Sequence, residues 1–203
     1  GIGHIVQCVV QLIWSVYLVD YKPLSWRPLL VLGMVTLWGI RLSIYLGVRH
    51  EGEDWRYKLL KRKYGHPNPF INQLIIYLGV FMLQWFFMSI AWFAPWNTIK
   101  YSITTNITIY DKIGVTVFLL GFLIETISDY QLAQYVEYKK KMRAEGKPVK
   151  RFYQGGIWKY SRHPNYFGEV VLWWGIYIVS LSTPGNYIMN ILTPLLINFL
   201  LRY

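Results

Sequence analysis

The run FINQLIIYLGVFMLQWFFMSIAWFAP, Phe70–Pro95, decides the fold class. It carries no Asp, Glu, Lys or Arg, and a helix needs about 20 mostly apolar residues to cross a bilayer. Working outward, five more runs of this kind stand along the chain: Ile2–Val19, Pro28–Val48, Lys112–Val136, Tyr166–Ser182 and Asn186–Leu201. The run from Lys112 turns polar past Glu125, which leaves its extent ambiguous, and Tyr166–Ser182 is short. Only Thr183-Pro184-Gly185 separates the last two, so they form an antiparallel hairpin. The expected fold is all-α, an integral membrane bundle of about six transmembrane helices forming one domain over residues 1–203. The chain opens Gly1-Ile2-Gly3-His4 without Met and stops at Arg202-Tyr203 after an apolar run, so both ends read as cut rather than finished.

Composition agrees. Charged residues make up 15% of the chain, against about 25% in soluble domains. The formal charge of +11 invites a nucleic-acid reading, but the positions of the charges argue against one. With six spans, the loops at 49–69 and 137–165 share a face with the C-terminus, and together with Arg202 they hold sixteen of the twenty-one Lys and Arg. The opposite face holds Lys22, Arg27, Lys100 and Lys112, and Arg41 lies within a span. By the positive-inside rule the basic face is cytosolic, or faces the matrix, so the endoplasmic reticulum and the mitochondrial inner membrane both fit. The same loops suit anionic lipid or a phosphate-bearing cofactor. Trp14, Tyr17, Trp26, Trp92 and Trp96 fall near predicted boundaries, as interfacial anchors do. They lie in or beside apolar spans, which does not suit a stacking platform for single-stranded nucleic acid. The lone Cys8 excludes an internal disulfide and supplies no metal set.

Ionisable groups within spans mark a site, a pathway or a buried pair. Four occur: Arg41, Glu125, Asp129 and Glu169. Glu125 and Asp129 are four apart and share a helical face, which must meet Arg41, Arg162 or a cofactor. A buried ion pair fixing helix register is the structural alternative. The segment Gly52-Glu53-Asp54-Trp55-Arg56-Tyr57 follows the second span on the basic side. It reads as a solvated turn before a short basic helix, or as a segment closing over a ligand.

The densest polar stretch is Gly155-Gly156-Ile157-Trp158-Lys159-Tyr160-Ser161-Arg162-His163-Pro164-Asn165-Tyr166-Phe167-Gly168-Glu169. The paired glycines permit a turn. Pro164 disfavours helix at His163 and is tolerated in the first turn of the helix that follows. The positive end of that helix, with Arg162 and His163, suits phosphate or carboxylate. Tyr166 and Glu169 are three apart and can face one pocket.

Ser161–Glu169, followed by Leu172-Trp173-Trp174-Gly175, resembles the C-terminal signature of the steroid 5α-reductase family, closest to its poorly characterised branch. Gly52–Tyr57 and Asp129-Tyr130-Gln131-Leu132 resemble that branch in the same order, from about Leu37 to Leu201. The resemblance implies an NADPH-dependent reductase of an activated C=C bond in a lipophilic substrate. On it, Asp129, Arg162, His163, Asn165, Tyr166 and Glu169 would bind NADPH. A tyrosine or acid should polarise the substrate carbonyl or deliver a proton, and the candidates are Tyr57 and Glu53. Two alternatives remain. The core Arg162 to Gly168 is similar to that of membrane methyltransferases that use S-adenosylmethionine. A structural subunit of a larger membrane assembly, with a reductase-like fold, is the other.

Overall fold

The computed structural model describes residues 26–49, 59, 62, 68–102, 106–184 and 187–202. Their regular structure is helical: α1 (Trp26–Arg49), α2 (Pro69–Ala91), α3 (Phe93–Tyr101), α4 (Ile109–Ala144), a 3-10 turn (Gly156–Lys159), α5 (Pro164–Ser180) and α6 (Tyr187–Arg202). Trp26–Tyr45 and Ile109–Ala144 are long and apolar enough to cross a membrane. The predicted span Ile2–Val19, Cys8 and the segment Gly52–Tyr57, with Glu53 and Tyr57, lie outside the described residues.

Local chemistry sets the helix ends. Asn68 caps α2 by accepting from Phe70 N at 3.0 Å, with Pro69 in the first turn. This helix does not run through to Pro95 as its hydropathy suggests; it ends at Ala91, and α3 begins at Phe93. Pro95 has no N–H for the carbonyl of Ala91 and its ring crowds that oxygen, so the chain breaks there. The backbone N–H of Ala94, freed at the start of α3, donates to Thr193 Oγ1 of α6 at 3.1 Å.

Thr108 and Asp111 form a reciprocal capping box at the start of α4. The helix continues past Val136, its expected end, for 36 residues to Ala144, about 54 Å at the α-helical rise. Its polar end is built from Gln, Glu, Lys, Arg, Met and Ala, all strong helix formers, so hydropathy falls while helicity does not. It closes at Gly146, φ 69°, where Gly146 N donates to Arg143 O and Lys147 N to Met142 O, at 3.1 and 2.9 Å.

Antiparallel α4 and α5 form the centre of the bundle. Gly114 and Gly121 on α4 meet Gly175 and Gly168 on α5, so closely that a Cβ on Gly168 would lie 2.6 Å from Glu125 N. Small residues at these positions let two backbones touch, as in helix pairs that pack inside membranes. α1 lies across the pair and buries Val31, Val35 and Trp38 in a core with Phe118, Trp173 and Ile176. Trp38 meets Trp173 edge to face at 5.1 Å. On the outer side of α4, Ile113, Leu120, Leu123 and Ile127 remain exposed, as do Leu37, Ile40 and Ile44 on α1. Exposed apolar side chains on helices of this length suit contact with lipid or protein.

Two arginines fix α1 parallel to α4. Near its start, fully buried Arg27 donates to both oxygens of Asp111 at 2.8 Å, to Ser102 Oγ at 3.1 Å and to Asn106 O at 2.9 Å. Further along, Arg41 reaches Glu125 and Asp129.

Candidate functional site

The end of the bundle that holds the last turns of α4 and the start of α5 carries the polar motif. Gly156 adopts φ 54°, a conformation that favours glycine. A Cβ there would lie 2.5 Å from Gln131 Nε2. Gln131 Oε1 accepts from Ile157 N at 3.1 Å, and Trp158 Nε1 donates to Ser128 O at 3.0 Å. These bonds dock the turn on α4. Beyond it, Tyr135 stacks near Tyr153 with ring centroids 4.9 Å apart, and Lys139 Nζ donates to Arg151 O at 2.9 Å.

Between this loop and α4 lies an open cleft of about 1100 Å3. Leu132, Tyr135, Val136 and Lys139 form one wall, and residues 151–154 and 158–163 form the other. Among the described residues the lining holds four cations, Lys139, Arg151, Lys159 and Arg162, and no carboxylate. Five aromatic rings, Tyr135, Phe152, Tyr153, Trp158 and Tyr160, stand among them. Cations set between aromatic faces suit a ligand carrying both phosphates and flat rings.

A second polar centre sits at the first turn of α5. Arg41 Nη1 pairs with Glu125 Oε1, and Arg41 Nη2 donates to Asp129 Oδ2. The other Asp129 oxygen, Oδ1, accepts from Asn165 Nδ2 at 3.2 Å. Glu125 Oε2 and Asn165 Oδ1 are buried without a hydrogen-bond partner. Glu169, one turn along α5 from Asn165, lies in the field of both Arg41 and Asp129.

The six residues proposed from the sequence to hold a cofactor therefore divide. Arg162 and His163 line the cleft; Asp129 and Asn165 are joined, with Glu169 beside them. Tyr166 stacks under His163 at 5.0 Å, on the outside of α5, and is 41% exposed. Of the two arginines open to Glu125 and Asp129, it is Arg41 that meets them. Sequence reasoning missed Lys139, Arg151 and Lys159 as cleft residues. The signal for Arg151 was its place in Arg151-Phe152-Tyr153-Gln154, cation and rings immediately before the paired glycines. Arg27 was assigned only to the less basic face, although Thr108 and Asp111 three apart already spelled a capping box that an arginine could join.

Comparison with known proteins agrees with the resemblance. A family model described as "Protein of unknown function (DUF1295)" matches residues 4–203. The 3-oxo-5-alpha-steroid 4-dehydrogenase 2 of Rattus norvegicus is 26% identical over 83% of this chain and 60% of its own length. That of Sus scrofa is 29% identical over 74% of this chain and 55% of its own. The 3-oxo-5-alpha-steroid 4-dehydrogenase 1 of Bos taurus is 35% identical over a shorter stretch, 36% of this chain and 25% of its own length. The chain thus spans 60% and 55% of the first two relatives. No solved structure matches it. The match over nearly every residue shows that the chain belongs to the DUF1295 family, with distant similarity to the 3-oxo-5-alpha-steroid 4-dehydrogenases over most of its length.

Proposed function

We propose that this protein is a multi-pass membrane reductase that uses NADPH to saturate a C=C bond conjugated to a carbonyl in a lipophilic substrate. The observation that carries the reading is the cleft at Arg162 and His163, whose lining among the described residues has four cations, five aromatic rings and no carboxylate. That donor set fits the group. Arg162, Arg151, Lys139 and Lys159 would hold its phosphates, and the rings would flank its adenine. Asn165, Asp129 and Glu169 stand nearer the bundle, where they would meet its nicotinamide end. When bound, NADPH supplies the hydride.

The position of the cleft fits two reactants of opposite solubility. α4 spans about 54 Å and a bilayer core about 30 Å, so the last turns of α4 stand in water on the basic side. Leu132, Tyr135, Val136 and Lys139 belong to those turns. A soluble cofactor enters there from water, while an apolar substrate comes laterally past the exposed Ile and Leu of α1 and α4. The relatives' names speak of a 3-oxo-5-alpha-steroid, which has the carbonyl and the apolar body that this reading requires. Residues 1–203 act as one domain in it.

The test is a titration of the full-length protein in nanodiscs with NADPH, NADH and S-adenosylmethionine in parallel. Saturable binding of NADPH, weakened by Arg162→Ala, is expected, as is oxidation of NADPH when a 3-oxo-4-ene steroid is added. Binding of S-adenosylmethionine instead would make the protein a methyltransferase, and binding of neither would leave a structural subunit.

A further inference from the structure

Two tyrosines on the outer side of α4 set a scale along it. Tyr110 and Tyr130 are both exposed there, and the rise between them is about 30 Å, the thickness of a bilayer core. From Ile113 to Ile127 every exposed side chain of the helix is uncharged. Tyrosines gather where hydrocarbon meets headgroup, so Tyr130 marks that boundary on the basic side. The first turn of α5 lies at the same level, since Gly168 packs on Glu125 and Asn165 donates to Asp129.

Two hydrogen bonds carry this level into the loop. Trp158 Nε1 donates to Ser128 O, and Ile157 N to Gln131 Oε1. Ser128 and Gln131 stand on either side of Tyr130, so the 3-10 turn is held at the boundary. Tyr160 follows the turn at once and is 83% exposed, its ring little covered by protein. The chain around it is basic throughout: between Glu145 and Glu169 stand Lys147, Lys150, Arg151, Lys159 and Arg162, and no acid. Phe152, on the same loop, is also exposed but sits higher. Lys139 holds the carbonyl of its neighbour Arg151, and Lys139 is about 12 Å further along α4 than Gln131.

We infer that the 3-10 turn and Tyr160 form a docking edge for the bilayer surface, and that its partner is anionic phospholipid. The Tyr160 ring lies in the headgroup layer, apolar body toward the acyl chains and hydroxyl toward water. The basic segment on both sides of it is drawn to the negative charge of the lipid headgroups. One lip of the cleft, at Tyr160, therefore rests on lipid, while the other, at Phe152, stands clear of it in water. The inference rests on the multi-pass membrane reading proposed above and does not depend on which cofactor the cleft takes.

The test places a nitroxide on single cysteines of the full-length protein, after Cys8→Ser removes the one cysteine of the sequence. The labelled protein is held in nanodiscs of phosphatidylcholine, with and without phosphatidylserine. Collision with oxygen, which partitions into lipid, and with a water-soluble nickel complex reads the depth of each label. Leu120→Cys, midway between the two tyrosines, should be open to oxygen and shielded from nickel. Phe152→Cys should show the reverse. Tyr160→Cys is expected about 12 Å deeper than Phe152→Cys. It should move deeper still with phosphatidylserine, and concentrated salt should cancel that extra shift. Lys159→Cys reports the same level if Tyr160→Cys does not fold. A Tyr160 label as open to nickel as the Phe152 label would place the turn in water and overturn the inference. A depth indifferent to phosphatidylserine would overturn it too, since the partner would not be anionic lipid. A Leu120 label open to nickel would sink the membrane reading itself, and the inference with it.

Discussion

Gly121 and Gly168 touch through their backbones: a Cβ on Gly121 would lie 2.6 Å from the carbonyl oxygen of Gly168, and one on Gly168 2.7 Å from that of Gly121. The contact brings the first turn of α5, with Asn165, up to Glu125 and Asp129. Gly168→Ala is therefore expected to push the helices apart and cost about 1–3 kcal/mol, as overpacking does. Thermal unfolding in detergent would show it. Gly33→Ala is the control, since nothing lies within 4 Å of a Cβ there, and it should be neutral or slightly stabilising.

Arg27→Met tests the buried pair at the other end of the bundle. Removing one partner leaves Asp111 charged and buried, at a cost of about 3–5 kcal/mol. Adding Asp111→Asn should recover part of that loss, because the amide oxygen can still accept at the Thr108 cap. Thermal unfolding of the two variants side by side decides it. The single variant being the more stable of the two would contradict the pairing.

The cleft predicts a salt effect. With four cations in its lining, binding of NADPH should weaken as sodium chloride rises, because exposed charge pairs are screened within about 8 Å at 0.15 M salt. Arg162→Ala and Arg151→Ala should each weaken binding by about tenfold or more at low salt and flatten the salt dependence. Titrations at three ionic strengths measure both. A salt-independent affinity would mean that the phosphates lie elsewhere.

Gly156→Ala should release the loop from α4. The left-handed conformation costs an L-residue about 1–2 kcal/mol, and the methyl would strike Gln131. Trypsin is expected to cut faster at Lys150, Arg151 and Lys159, while the helical content stays unchanged. Gln131→Ala should give a milder form of the same result.

Hydropathy made the helices legible and misjudged their ends in two informative places. It carried the helix from Phe70 through Pro95, because it weighs proline by polarity and not by its missing N–H; the chain breaks at Trp92 instead. It left the end of α4 open past Glu125, because a helix leaving an apolar setting loses hydropathy while its Lys, Glu and Gln keep the propensity. The four-residue spacing of Glu125 and Asp129 called for a basic partner, and the structure supplies Arg41. Spacing alone could not choose between Arg41 and Arg162, since the choice depends on which face of α1 meets α4. The cleft cations were the least legible. Lys139 and Arg151 are twelve residues apart and meet only because α4 runs on and the chain folds back along it.

The unbroken length of α4 has a mechanical consequence. From the capping box at Thr108 to the close at Gly146 it is a single beam, packed against α5 over half its length and tied to the loop at 150–158 beyond. An unbroken helix offers no loop residues at which to hinge, which makes it the stiffer wall of the cleft. Widening of the cleft then falls to the opposite wall, whose ties to α4 are few: Gln131 to Ile157, Ser128 to Trp158, Lys139 to Arg151 and Tyr135 to Lys150. Under the proposed function, the rate at which a ligand leaves is expected to follow how often those four bonds let go together, so that turnover would depend on the tether as much as on the chemistry.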